Sequence, residues 1–212
     1  MKGIDHFMYA ASDLDGLVRW FTETTGMATS AGGSHPSLGT RNHLLGTDGR
    51  TYLELIGPDP ALAAQSPLRR ALQAMTRPQL HRVIAEGKAD DFPALIERYR
   101  EMGVAAQAMD LQRVTASGET IEWKLLVPAD PNPLGVFAPM VIDWLDTAHP
   151  STRLGASPCT ILGCEAGHPD KPRIEAFWRA IGFEFPLVQA DSAYVRVTLG
   201  TPRGPVALTS AN

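Results

Sequence analysis

Cysteine is nearly absent. Cys159 and Cys164 stand five residues apart in a stretch that reads as a strand, so they face opposite sides and are poorly placed to pair. Two reduced cytosolic thiols are the expectation, and neither cysteine sits in a metal-spaced pair. Basic excess is lacking as well. The net charge is −4, which leaves no electrostatic footprint for nucleic acid. No apolar run approaches the ~20 residues that a membrane span requires. The opening stretch, "MKGIDHFMYAASDLD", carries acids where the apolar core of a secretory signal would sit. A soluble, cytoplasmic protein with neither nucleic-acid nor membrane partners is expected. Two further motifs are missing. "GTDG" and "GTPRG" are hairpin turns, because no Gly-Lys-Ser/Thr follows them. No Gly-x-Ser-x-Gly elbow offers a nucleophile for acyl transfer.

What is present is repetition. The 212 residues, 44% hydrophobic and 20% charged, suffice to bury a substantial core. Three segments run from an aspartate through an amphipathic stretch to a glycine: Asp13 to Gly26, Asp90 to Gly103 and Asp170 to Gly182, separations of 13, 13 and 12 residues. Each reads as an N-capped helix stopped by glycine. A strand precedes each helix, in "GIDHFMYAA", "LHRVIAEG" and "CTILGCEAG". Three short strands follow each helix, separated by tight-turn residues. After the first helix they are read at 27–31, 40–46 and 51–56, after the second at 104–109, 120–127 and 140–145, and after the third at 183–188, 193–199 and 206–210. The chain therefore reads as three βαβββ units, at about 2–58, 79–146 and 157–211, with a linking helix near 67–75 and a Pro-rich loop in "PADPNPLGVFAP". One compact domain is expected, since no connecting stretch has the composition of a disordered linker.

Repeated βαβββ units with "DH" on the first strand and "YLEL" on the fourth resemble the vicinal oxygen chelate superfamily, which includes glyoxalase, extradiol dioxygenases and antibiotic-resistance binding proteins. Within it the chain is most similar to the glyoxalase-like domain group. The similarity runs through "IDHFMYAASDLD", "GGSHPSLGTRNHLL", "TYLELIGPDP", "IEWKLLVP", "APMVIDW" with His149-Pro150, "GHPD" and "TPRGPVALTS". It implies an α+β fold in which two units pair and curl their mixed sheets into an open cup around a ligand. The third unit is then odd. It either packs against the pair or completes a cup with a second copy of the chain, as a homodimer.

Strand alternation places His6 on one face with Ile4, Met8 and Ala10, and Glu54 on one face with Tyr52 and Ile56. Each is a polar group among apolar neighbours. A buried carboxylate needs a metal, a cation or hydrogen-bond donors. The resemblance makes His6 and Glu54 metal ligands, a pairing suited to a divalent ion such as Zn, Fe, Ni or Mn. A core histidine and a structural carboxylate are the plainer alternative. Matching Asp13 with Asp90 sets Val83 opposite His6, and His81 lies two residues earlier on that face. "MVIDWL" supplies Asp143 on one face and Trp144 on the other. His81 and Asp143 are the candidates to complete the ligand set, although the offset at His81 departs from the family pattern.

Ligand contacts are expected from the glycine-shaped rim and the strand after it. His35 lies in the rim. Asn42 can donate and accept towards a carbonyl or amide. Arg41 and His43 share the other face, Arg41 as a carboxylate partner or exposed rim residue. Trp123 and Trp144 are candidate aromatic walls, and His149 before Pro150 repeats the His-Pro rim. Two functions follow. One is an enzyme acting on a small carbonyl- or hydroxyl-bearing molecule, with Glu54 as catalytic proton carrier and isomerase, lyase or dioxygenase chemistry all open. The other is a metal-free protein that binds or sequesters a small molecule.

Overall fold

The structure, a computed structural model, describes residues 3–114, 120–155 and 157–210. Residues 2 and 211, the outer limits read for the first and third units, lie outside the described residues. The first unit is β1 (Gly3–Ala10), α1 (Leu14–Thr25), β2 (Ser30–His35), β3 (Thr40–Leu45) and β4 (Tyr52–Pro58). A linking helix α2 (Pro67–Gln73) leads to β5 (Gln79–Glu86), α3 (Phe92–Glu101), β6 (Ala106–Val114), β7 (Thr120–Pro128) and β8 (Met140–Asp143). The last unit is β9 (Thr160–His168), α4 (Lys171–Ile181), β10 (Leu187–Gln189), β11 (Tyr194–Thr201) and β12 (Gly204–Thr209).

Local chemistry sets the helix limits. The Asp13 carboxylate accepts the Gly16 N–H at the start of α1, and Gly26 closes it in the left-handed region at φ 74°. Such a φ suits glycine, which has no Cβ to clash. Leu14, Leu17 and Phe21 recur at helical spacing and are buried on one face. Asp170 and Gly182 frame α4 in the same way. The second helix departs from the sequence reading. A 3-10 turn at Ala89–Asp91 precedes α3, whose N-cap is Asp91, not Asp90, and makes no side-chain capping bond. The carboxylate of Asp143 holds that turn by accepting the Ala89 N–H at 2.9 Å.

The first two units form one eight-stranded sheet in the order β2-β3-β4-β1-β5-β8-β7-β6. Within each half the first strand pairs in parallel with the last, β1 with β4 and β5 with β8. The halves meet through the antiparallel pair β1–β5, which relates them by an approximate twofold. The sheet curls until its edges approach. Arg113 on β6 donates to the Gly32 carbonyl on β2. Phe7, Leu53, Leu55, Val83 and Ala85 face outwards into the core with α1 and α3, while Met8, Ala10, Ile56 and Ile84 face the inside of the cup.

The third unit follows the βαβββ order along the chain, but its strands are arranged differently. Its sheet runs β10-β9-β11-β12, with the first strand flanked by the second and third strands. It is therefore no third half-cup. Its apolar face, with Val195, Val197 and Leu199 beside Phe177 and Trp178, joins the core on the outer side of the large sheet. Trp178 Nε1 donates to the Phe137 carbonyl at 2.8 Å. Of the two arrangements left open by the sequence, this is packing against the pair.

Several strand limits differ from the sequence reading. β2 runs to His35 through Gly32 and Gly33, so the irregular rim shrinks to a turn at 36–39. Gly33 has φ 141°, and a Cβ on Gly32 would collide with Asn42 Oδ1. β8 stops at Asp143 because that carboxylate also takes the Leu145 N–H at 3.1 Å and turns the chain. Cys159 lies just before β9 and is buried, Cys164 lies within it, and both are free thiols.

Candidate functional site

The cup encloses a cavity of about 590 Å³. Its floor is the inner face of β1, β4, β5 and β8. His6 and Met8 point into it by strand alternation, as do Tyr52, Glu54 and Ile56 from β4. One residue breaks the alternation. The pairing of β1 with β5 slips between Ile4 and His6, so Asp5 sits at a bulge, 1% exposed. Bulges re-aim a side chain out of the pleat.

Asp5 gathers three donors. His6 Nδ1 lies 2.7 Å from Oδ1, while Trp144 Nε1 and His149 Nε2 lie 2.9 and 3.0 Å from Oδ2. The Ser151 N–H donates to His149 Nδ1, which leaves the His149 proton on Nε2, facing Asp5. Burial opposes the charge on Asp5, but the hydrogen bonds from His149 and His6 outweigh it and hold the carboxyl well below the usual carboxylate range.

His6 is thereby fixed with Nδ1–H on Asp5 and Nε2 turned to the cavity. Nε2 stands 3.6 Å from Glu54 Oε2, close enough for charge attraction and longer than a hydrogen bond. The Tyr52 ring stacks on the imidazole at 4.5 Å between centroids. Burial disfavours the charged ring, yet the bond to Asp5 and the facing Glu54 overcome it and raise His6 to about 9. Burial likewise works against ionised Glu54, and His6, with Asn42 and His35, brings its pKa below the ordinary value. The second Glu54 oxygen accepts Asn42 Nδ2 at 2.6 Å. Asn42 Nδ2 is also 3.5 Å from His35 Nε2, and His35 Nδ1 meets Thr40 Oγ1 at 3.0 Å. Burial pushes the His35 pKa down, so it is neutral. Asp5, His6, Glu54, Asn42 and His35 form one buried polar line.

The other half is built differently. Tyr52 pairs with His6 and Glu54 with Met8 across β1–β4, just as Met140 pairs with Ile84 and Ile142 with Glu86 across β5–β8. The twofold thus matches His6 with Ile84 and Glu54 with Ile142. Two isoleucines occupy the places where a symmetric ligand set needs donors. Matching Asp90 with Asp13 gave Val83 instead, because the 3-10 turn shifts the start of the second helix by one residue.

Neither remaining candidate ligand joins His6 and Glu54. His81 does line the cavity, as a slip in the β1–β5 register turns it and Arg82 inwards together, but its Nε2 faces Asp130 at 3.3 Å. Asp143 points to the outer face, where Lys88 Nζ and the N–H groups of Ala89 and Leu145 hold it. Among the described residues no group of three or more His, Cys, Asp or Glu could share a metal ion. The donor set does not fit the divalent metal that the fold family implies.

Trp123 and Trp144 both line the cavity, 5.7 Å apart between ring centroids, and Trp123 meets the edge of His35 at 6.0 Å. His35 is a buried strand-end residue, not a rim loop residue. His149 stands behind the wall, hydrogen-bonded to Asp5 and with its ring against the edges of Tyr52 and Trp144. Arg41 pairs with Asp15 and His43 with Thr29, both on the outer face. Sequence reasoning missed Asp5, Tyr52, Arg82 and Asp130. A charged residue beside His6 inside a hydrophobic strand was the available signal for Asp5.

A family model described as a glyoxalase-like domain matches residues 4–182. No curated protein matches the chain. A hypothetical protein from Staphylococcus aureus is similar in structure at 15% identity, with 99% of this chain and 86% of that one covered and a TM-score of 0.64. Methylmalonyl-CoA epimerase of Streptomyces coelicolor, in complex with 2-nitronate-propionyl-CoA, matches at 20% identity over 69% of this chain and 97% of its own, with a TM-score of 0.48. A 4-hydroxymandelate synthase variant from the same organism matches at 14% identity over 99% of this chain and 62% of its own, also at 0.48. With a family model spanning residues 4–182 and the paired βαβββ half-cups in place, the chain belongs to the glyoxalase-like domain family of the vicinal oxygen chelate superfamily.

Proposed function

We propose that the cup binds a small, largely apolar carbonyl compound and moves a proton on it, with Glu54 as the base and His6 as the group that steadies the oxygen. The observation that carries this reading is the ion pair of His6 with Glu54, aimed into a part of the cavity walled by Met8, Ile84, Leu125, Met140, Ile142 and the two tryptophans. The lowered pKa of Glu54 keeps it ionised and free to accept a proton, and in such surroundings an N–H donor is more effective than in water. Asp5 keeps the imidazole in one orientation and one charge state. A substrate oxygen entering the gap beside Nε2 accepts its N–H, while Glu54 takes a proton from the adjacent carbon. Asn42 holds the other oxygen of Glu54 and keeps the carboxylate from rotating.

Deuterium exchange tests the reading. Candidate ketones, hydroxyketones and thioesters are incubated with the protein in deuterium oxide, and label at the carbon next to the carbonyl is followed by mass spectrometry. Wild type is expected to catalyse exchange in a ligand it binds, and Glu54→Gln to lose it by at least 100-fold while still binding. Exchange that survives unchanged in Glu54→Gln refutes the assignment.

A second reading, binding or sequestration without turnover, draws support from Glu54 already being engaged by both Asn42 and His6. Tight binding with no exchange in any bound carbonyl compound is its signature.

A further inference from the structure

The same cavity has a second polar end. Arg82, His81 and Asp130 line it. The Arg82 side chain is 3% exposed, and its Nη1 donates to the His81 carbonyl at 2.8 Å. Nη2 lies 2.8 Å from Asp130 Oδ2, yet off the hydrogen-bonding direction. As a result Arg82 Nη2, His81 Nε2 and Asp130 Oδ2 are buried as an ion cluster without well-directed hydrogen bonds, and Arg82 Nε has no partner at all. Buried polar groups are nearly always satisfied, and each orphan costs free energy until something completes it.

The orphans are of both kinds. Arg82 offers N–H donors and Asp130 an acceptor, while their opposite charges already compensate. A ligand carboxylate would meet Arg82 but also the repulsion of Asp130. An ammonium would meet the reverse. A neutral group with a carbonyl oxygen beside an N–H satisfies both sides at once. We propose that this end of the cavity takes a carboxamide group of the ligand, whose oxygen accepts from Arg82 and whose N–H donates to Asp130.

The proposal rests on the reading of the cup as a ligand site and names the class of ligand. Glu54, Met8 and Arg82 are register partners on three adjacent strands, so the two polar ends are two strand spacings apart, about 10 Å between backbones. A matching ligand has its reacting carbonyl at one end, an amide at the other and a short apolar segment over Met8.

Three isosteric probes test this by calorimetry on the whole protein: phenylbutyramide, phenylbutyrate and the methyl ketone with CH3 in place of NH2. The amide is expected to bind at least 10-fold more tightly than either of the others. Arg82→Met should erase that preference. Asp130→Asn, on a partly exposed loop, should shift the preference towards the carboxylate, and it stands as an independent arm if Arg82→Met does not fold. Equal binding of all three probes, or preference for the carboxylate in wild type, overturns the proposal and leaves the cup reading intact. Binding of none of the three overturns both.

Discussion

Replacing Asp5 by Asn removes the carboxylate that fixes His6. The rise of His6 from 6.5 to about 9 corresponds to roughly 3 kcal/mol of preference for the imidazolium in the folded protein. The sign follows from linkage. A raised histidine contributes stability that is fully present below its unfolded value of 6.5 and is lost as pH climbs through about 9. At pH 7 about 2.5 kcal/mol of it remains. In Asp5→Asn the amide cannot accept from all three donors, and burial of the ring is opposed by Glu54 alone. Stability at pH 7 should fall by about 3–5 kcal/mol, the usual range when one partner of a buried charged network is removed. At pH 10 the gap should narrow to ~1–2 kcal/mol, because wild-type His6 is then neutral and only the hydrogen bonds of Asp5, no longer its attraction for a charged imidazole, separate the two proteins. Urea unfolding at pH 6, 7.5 and 10 measures this with wild type as the reference. A gap of constant size across that range refutes the claim that Asp5 acts by holding a charged His6.

Other perturbations probe separate parts of the site. Gly32→Ala should cost about 1–3 kcal/mol in thermal or urea unfolding, since its Cβ collides with Asn42 Oδ1. The same change should loosen the Asn42 bond to Glu54 and weaken ligand binding. Ile84→His combined with Ile142→Glu places donors at the twofold mates of His6 and Glu54, and should bind zinc or nickel at least 10-fold more tightly than wild type by calorimetry. Equal metal affinity in the two proteins contradicts the pairing of those positions. Towards low pH, the lowered pKa of Glu54 has the opposite sign to that of His6. Its contribution is present above the normal carboxylate range and is lost as pH falls, so Glu54→Gln should flatten the acid limb of the stability profile.

Much of the fold was legible because helix signals are local. Asp13 with Gly26 and Asp170 with Gly182 mark their helices by capping chemistry alone. Strand alternation correctly set His6, Asn42 and Glu54 facing inwards and His43 outwards. What alternation cannot register is a bulge. The slip at Asp5 turns an extra side chain into the interior, so Asp5 went unseen, and Arg82, which shares the inner face with Ile84, was overlooked because Val83 was set opposite His6. The misplaced second-half ligands have a similar cause. One added residue in the 3-10 turn before α3 moved the alignment from Ile84 to Val83, and matching "MVIDWL" with "TYLELI" set Asp143 in place of Ile142 opposite Glu54. Strand order within the third unit was beyond reach, because the succession βαβββ is compatible with more than one pairing.

The protonation state of the His6–Glu54 pair tests the central claim most directly. Selectively labelled protein observed by nuclear magnetic resonance reports both nitrogens of His6 and the side-chain carboxyl of Glu54. An imidazolium facing an ionised carboxylate is expected at pH 7, with His6 losing its proton at about 9. A neutral His6 at pH 7, or a protonated Glu54, would contradict the account of a charged acid–base pair held in an apolar cup.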